Sequence, residues 1–333
     1  MPSKPQYGFN MLWMFSNWGQ QPEEPDLRQL DFIAGEGFDF IRVPTDYTFW
    51  TDNFQYDKPN ERVFELIDRY LQACRERGLH MSLNSHRTPG YCINGNDREK
   101  DNLWSSKAAQ DAFCALWTRF AARYKGVPAS ALSFDLLNEP PAPGQYGFSR
   151  EIHEQIMRRV IGEIHAIDPD RPVVLDGICG GGIAIPELAD VGATHSGRGY
   201  EPFAISHHKA NWCGIDQDKW PEPVYPGETF GKYWDRKALA MYYEPWDEVA
   251  KKGVKIHIGE FGCHNKTPND VALRWLNDLT GVLADYGWGW SLWNFKGSFG
   301  VVEHGRPGAV YTEYKGFNVD MDLLNILKNN RIK

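Results

Sequence analysis

The sequence predicts an α/β fold, a single (β/α)8 barrel running over residues 1–333, and three observations carry that prediction. Short apolar stretches alternate with amphipathic ones from end to end, and eight of the short kind can be counted. No G-x-G-x-x-G opens the first helical stretch, which removes the main reason to prefer the alternative, a doubly wound open sheet. No linker, low-complexity tract or repeat divides the 333 residues, a length above that of an ordinary domain but suited to one barrel.

The strand candidates are YGFNMLW (7–13), DFIRVPT (39–45), HMSLNSH (80–86), ALSFDLLNE (131–139), PVVLDG (172–177), FAISHH (203–208), KIHIGEF (255–261) and WGWSLWNF (288–295). Each is short, apolar and rich in β-branched or aromatic residues, as strands buried on both faces are. Between them, residues 59–78 set Val63, Leu66, Ile67, Tyr70, Leu71 and Cys74 at spacings of three and four and stop at Gly78. Residues 106–126 behave alike and also end in glycine. Residues 149–172 start on a serine cap. Residues 234–253 carry Pro245, which predicts a kink or break. Residues 267–287 have proline at the second position, and 318–330 form the last helix. The connection after Asp176 has room for one short helix at most.

Composition narrows the function. A net charge of −8 disfavours nucleic acid and anionic membranes as partners. No apolar run reaches the roughly 18 residues of a membrane span. The opening MPSKPQYGFN lacks an apolar h-region, and the six cysteines are scattered with no CxxC pair. The expectation is a cytoplasmic protein with mostly reduced thiols, or a secreted one if a leader is removed. Aromatic residues are abundant, with 13 Trp, 15 Tyr and 18 Phe. Some are core, but flat rings also stack on the C–H faces of sugars.

Catalytic groups of a (β/α)8 barrel sit at the C-terminal ends of its strands. Arg42 lies near the end of the second candidate, Asn84 and His86 end the third, and Asn138 and Glu139 end the fourth. His207 and His208 end the sixth, Glu260 the seventh, and Trp293 and Asn294 the eighth. Any one could be a structural cap, ion pair or packing residue; six strands ending this way together favour a site. Strands four and seven face each other across a barrel of eight. Two carboxyls over a barrel mouth are the equipment of glycoside hydrolysis, one as a protonated acid and one as an ionised nucleophile. A separation of about 5–5.5 Å would mean retention through a covalent glycosyl-enzyme.

The ordered set FDLLNEP, IHIGEFG, IRVP, LNSH and WGWSLWNFKG resembles glycoside hydrolase family 5 from residue 41 to 297. The resemblance implies Glu139 as acid/base, Glu260 as nucleophile, Asn138 on the sugar 2-hydroxyl and Arg42 in support of the nucleophile. It implies His86 and His207 lining the subsite of the reacting sugar, with Trp293 as its floor. The family usually has His-x-Tyr on strand six, its tyrosine bonded to the nucleophile. This chain reads SHHKANW there, so Lys209 stands in the tyrosine's place, or His208 if the frame slips by one. The tyrosine must come from elsewhere or be absent.

The expected function is therefore a retaining β-glycoside hydrolase cleaving β-1,4-glucan, needing no metal or cofactor and working as a monomer on oligo- or polysaccharide. The long loop 209–234, with Trp212 and five further aromatic residues, would wall the sugar groove, helped by 86–104 and 296–317. An open groove gives endo action. A groove closed at one side gives an exo-acting glucosidase, mannosidase or exoglucanase. Two further readings stand: a carbohydrate-binding barrel without catalysis, and a metal-dependent hydrolase, for which no His/Asp cluster is spaced.

Overall fold

The computed structural model describes residues 4–15, 22, 24–52, 54–213 and 219–332. Eight parallel strands close into a barrel: Tyr7–Asn10, Phe40–Asp46, His80–Arg87, Leu132–Asp135, Val173–Asp176, Thr194–Gly199, Ile256–Phe261 and Gly289–Leu292. They follow one another around the barrel in chain order, and the first meets the last through Tyr7 beside Trp290 and Phe9 beside Leu292. Nearly every strand residue is buried, as a parallel sheet covered on both faces requires.

Seven strands overlap the apolar stretches read from the sequence; the sixth does not. The expected strand FAISHH is a short helical turn, Phe203–Ser206, and the true sixth strand is Thr194–Gly199, THSGRG. That segment is fully buried yet has no apolar run. It is small where a neighbour presses. A Cβ on Gly199 would come within 2.6 Å of the Phe261 Cβ on the seventh strand, so only glycine fits.

The chain forms two compact units. The first is built mainly from Met11–Gly197 with Val249–Ile256, the second from Lys4–Asn10, Arg198–Glu248 and His257–Lys333. In the first, helix Glu61–Glu76 starts where the Asn60 side chain accepts the Arg62 N–H at 3.1 Å, and it buries Val63, Phe64, Ile67, Tyr70, Leu71 and Cys74. Helices Lys107–Arg123 and Arg150–Ile167 are capped by Ser106 and Ser149. Helix Arg28–Gly35 precedes the second strand. The aromatic core joins Trp50, Phe64, Phe120 and Phe134 at ring distances of 5.2–6.4 Å.

In the second unit, helix Arg236–Ala250 continues through Pro245, so of the expected kink or break the break does not occur. The bond that the proline forfeits is the one to Met241, whose side chain points to solvent. Helices Asn269–Asp285 and Met321–Asn329 complete it, the latter capped by Asp320. The long connection after the sixth strand contains an antiparallel hairpin, Gly227–Thr229 with Lys232–Trp234; residues 214–218 of it lie outside the described residues.

Candidate active site

In the first unit a buried charge network forms at the ends of the second, fourth and fifth strands. Arg42 is 1% exposed. Its Nε donates to Asp135 Oδ2 at 2.6 Å and its Nη2 to Asn138 Oδ1 at 2.9 Å, with Asp176 Oδ2 3.7 Å away. A buried guanidinium needs such partners, because an unpaired charge out of water is costly. Asp176 has a second use: the same Oδ2 accepts the backbone N–H of Glu139 at 3.0 Å. Tyr91 fixes the next peptide by donating to the Glu139 carbonyl at 2.7 Å.

Glu139 is held in the left-handed region, φ 46°. Non-glycine residues pay for that conformation, so the surroundings must impose it. Here they do, through Asp176 and Tyr91 on its main chain, Trp117 Nε1 on the Leu136 carbonyl at 3.1 Å and the Asn138 N–H on the Ser85 carbonyl at 3.1 Å. The strand's apolar residues anchor in the wall and its tip turns sharply. Asn138 is left buried on Arg42, and Glu139 is left partly exposed. Of the expected residues in this unit, Arg42, Asn138 and Glu139 share one network. His86 is buried on the third strand, with the Phe15 ring edge-on at 4.7 Å.

In the second unit Glu260 ends the seventh strand and is 3% exposed. Two groups from the sixth strand's end grip it. Tyr200 donates its hydroxyl to Oε2 at 3.0 Å, and Arg198 Nη2 lies 3.3 Å from Oε1. Tyr200 thus supplies the tyrosine that the mistaken strand put in doubt. Read as R-G-Y, residues 198–200 have the H-x-Y spacing with arginine in the histidine's place. The absence of an apolar run hid them. Asp135, Asp176, Tyr91 and Arg198 were also not foreseen.

His207 and His208 follow a helical turn instead of ending a strand. His207 stacks flat on Phe203 at 4.0 Å and meets Tyr200 edge-on at 4.8 Å; burial pushes its pKa down to about 3, so it is neutral. His208 turns toward Glu222, 3.9 Å away, and its carbonyl accepts from His264 Nδ1 at 2.8 Å. Trp212 is 53% exposed and lies 6.4 Å from the His207 ring and 5.1 Å from that of His264. Trp293 follows the eighth strand, tied beside Glu260 by its N–H on the Phe261 carbonyl at 2.7 Å. Among the described residues, no three His, Cys, Asp or Glu side chains are grouped to hold a metal ion. No helix among them is long and apolar enough to cross a membrane.

Comparison with known proteins bears on this arrangement. The profile of Cellulase (glycosyl hydrolase family 5) matches residues 3–298. Cellodextrinase A of Ruminococcus flavefaciens is 27% identical over 80% of this chain and 76% of its own. Endoglucanase C of Acetivibrio thermocellus is 26% identical over 81% of this chain and 83% of its own. A solved structure described as a glycoside hydrolase is 54% identical, with a TM-score of 0.96, covering 98% of this chain and all of that one. An endoglucanase of Thermotoga maritima, 24% identical, shares the fold with a TM-score of 0.76 over 97% and 96% of the two chains. With a family profile spanning nearly the whole chain and a closed eight-stranded barrel beneath it, the chain belongs to glycoside hydrolase family 5 and is a retaining glycoside hydrolase.

Proposed function

We propose that the substrate is β-1,4-glucan, that Glu260 is the nucleophile and that Glu139 is the acid/base. The observation that carries the reading is the grip of Tyr200 and Arg198 on the two oxygens of Glu260. A buried carboxylate so held is aligned for attack and has its charge compensated before substrate arrives. Glu139, by contrast, is positioned through its main chain and is partly exposed, as an acid that must reach a glycosidic oxygen has to be.

In the first step Glu139 gives its proton to the departing oxygen while Glu260 forms a bond to the anomeric carbon. In the second, Glu139 takes a proton from water, the water oxygen bonds to the same carbon from the side the leaving group left, and Glu260 departs as carboxylate. Neutral His207, packed on Tyr200, and the exposed Trp212 supply aromatic surface for sugar rings. The names of the relatives, endoglucanases and a cellodextrinase, support a β-1,4-glucan chain, either polymeric or as short oligomers.

The roles are tested by azide rescue. In Glu260→Gly, azide enters from the vacated face and yields the glycosyl azide of inverted configuration. In Glu139→Gly, with an activated aryl cellobioside, it attacks the glycosyl-enzyme and yields the retained one. Wild-type-like turnover in either variant overturns its assignment. Products from a β-1,4-glucan polymer decide the mode of action: a ladder of oligomers means endo cleavage, a single mono- or disaccharide exo cleavage.

A further inference from the structure

The antiparallel hairpin in the connection after the sixth strand pairs Thr229 with Lys232, so Phe230 and Gly231 form a two-residue turn. Their φ values are 51° and 75°. Positive φ at both central positions marks the turn type for which Asn-Gly is the favoured sequence. Phenylalanine there bears a backbone penalty that asparagine or glycine would largely avoid. Its ring, moreover, is 61% exposed. Neither the turn nor the core gains from this residue, so a use for its ring is to be sought on the outer side.

The ring is not isolated. Trp220 meets it edge-on at 5.6 Å, and Trp220 lies 6.1 Å from Phe203. Phe203 is stacked on His207, His207 abuts Tyr200, and the Tyr200 hydroxyl is on Glu260. A continuous succession of rings therefore connects the carboxylate proposed as nucleophile with the hairpin tip. Apolar C–H faces of pyranose rings pack on such surfaces.

We propose that Phe230 is a distal sugar-binding platform that stacks a glucosyl unit of the β-glucan chain several units from the bond being cleaved. This rests on the reading of Glu260 and of the substrate given above. The occupant is the substrate chain itself, because the aromatic succession is continuous with the catalytic carboxylate.

The test is Phe230→Asn, which removes the ring and suits the turn, so the hairpin keeps its fold. kcat and KM are measured on a soluble β-1,4-glucan polymer and on an aryl β-cellobioside too short to reach the hairpin. The expected result is a KM for polymer raised about two- to tenfold, the range that one aromatic stacking contact supplies, and a smaller change on the cellobioside. Equal losses on both substrates, or no loss on polymer, overturn the platform. So does a shift in oligomeric state by light scattering with polymer KM unaltered, which would make the tip a protein contact. Glu260→Gln measured alongside separates the two readings: if it retains turnover, the proposed function has failed rather than the platform.

Discussion

Removal of the Tyr200 hydroxyl, in Tyr200→Phe, should separate the two halves of the reaction. The hydroxyl donates to Oε2 of Glu260 at 3.0 Å, while Arg198 stays on Oε1. A hydrogen bond to a charged acceptor is worth about 1.5–3 kcal/mol. With Glu260 as the proposed nucleophile, the carboxylate loses charge in the first step as it bonds to carbon, so the hydrogen bond weakens on the way to the transition state. Its loss costs alignment but leaves a more nucleophilic oxygen, and the net change is small. In the second step the carboxylate regains charge as it departs. With roughly half the charge restored at the transition state, the missing bond costs about 1 kcal/mol, a slowing of ~5-fold. Stopped-flow hydrolysis of a dinitrophenyl β-cellobioside reads this directly. The variant should show a burst of phenolate with an amplitude near one per enzyme and a slow steady state. A variant that slows both steps equally, or shows no burst while wild type and variant share one rate, refutes the reasoning.

Other consequences follow from the same geometry. Arg42→Met strands two buried carboxylates, Asp135 and Asp176, and should lower stability by about 3–5 kcal/mol in urea unfolding. Glu139→Gly and Glu139→Ala should both lose the proposed acid, yet the glycine variant should be more stable by about 1 kcal/mol, because only it adopts φ 46° without cost. His153, buried between Trp104 and Phe148, has its pKa pushed down by burial from 6.5 to about 3. Its contribution to stability is full above pH 6.5 and is lost progressively as pH falls from there toward 3, because only the unfolded chain takes up the proton. At pH 5 this one group costs about 2 kcal/mol, and His153→Phe should reduce the loss of stability between pH 7.5 and pH 5 by that amount.

The barrel was legible wherever a strand is an apolar run. Val173–Asp176 and Ile256–Phe261 announce themselves, and Glu260 of the latter stands where the strand-end rule would seek a catalytic group. The sixth strand was illegible because its residues answer to their neighbours rather than to water. Gly199 is set by Phe261, and the His195 ring meets the Leu188 carbonyl. Phe203, Ala204 and Ile205 imitate a strand because the turn they form buries Ala204 and Ile205 completely. That single error displaced the tyrosine and hid Arg198. Glu139 and Glu260 were readable from short motifs, since each sits where a strand stops. Asp135 and Asp176 were not. Each closes an apolar strand, but a buried acid there has no signal of its own until the guanidinium that neutralises it is placed beside it in space.

The close approach of Gly199 and Phe261 also bears on how this enzyme can be changed. Arg198 and Tyr200 flank a position that admits no side chain, so the two groups holding Glu260 are spaced by a residue with no freedom to vary. A library randomising 198–200 explores two positions, not three. Variation at 198 changes the charge beside the carboxylate while the backbone that aims the tyrosine stays where the neighbouring strand has put it.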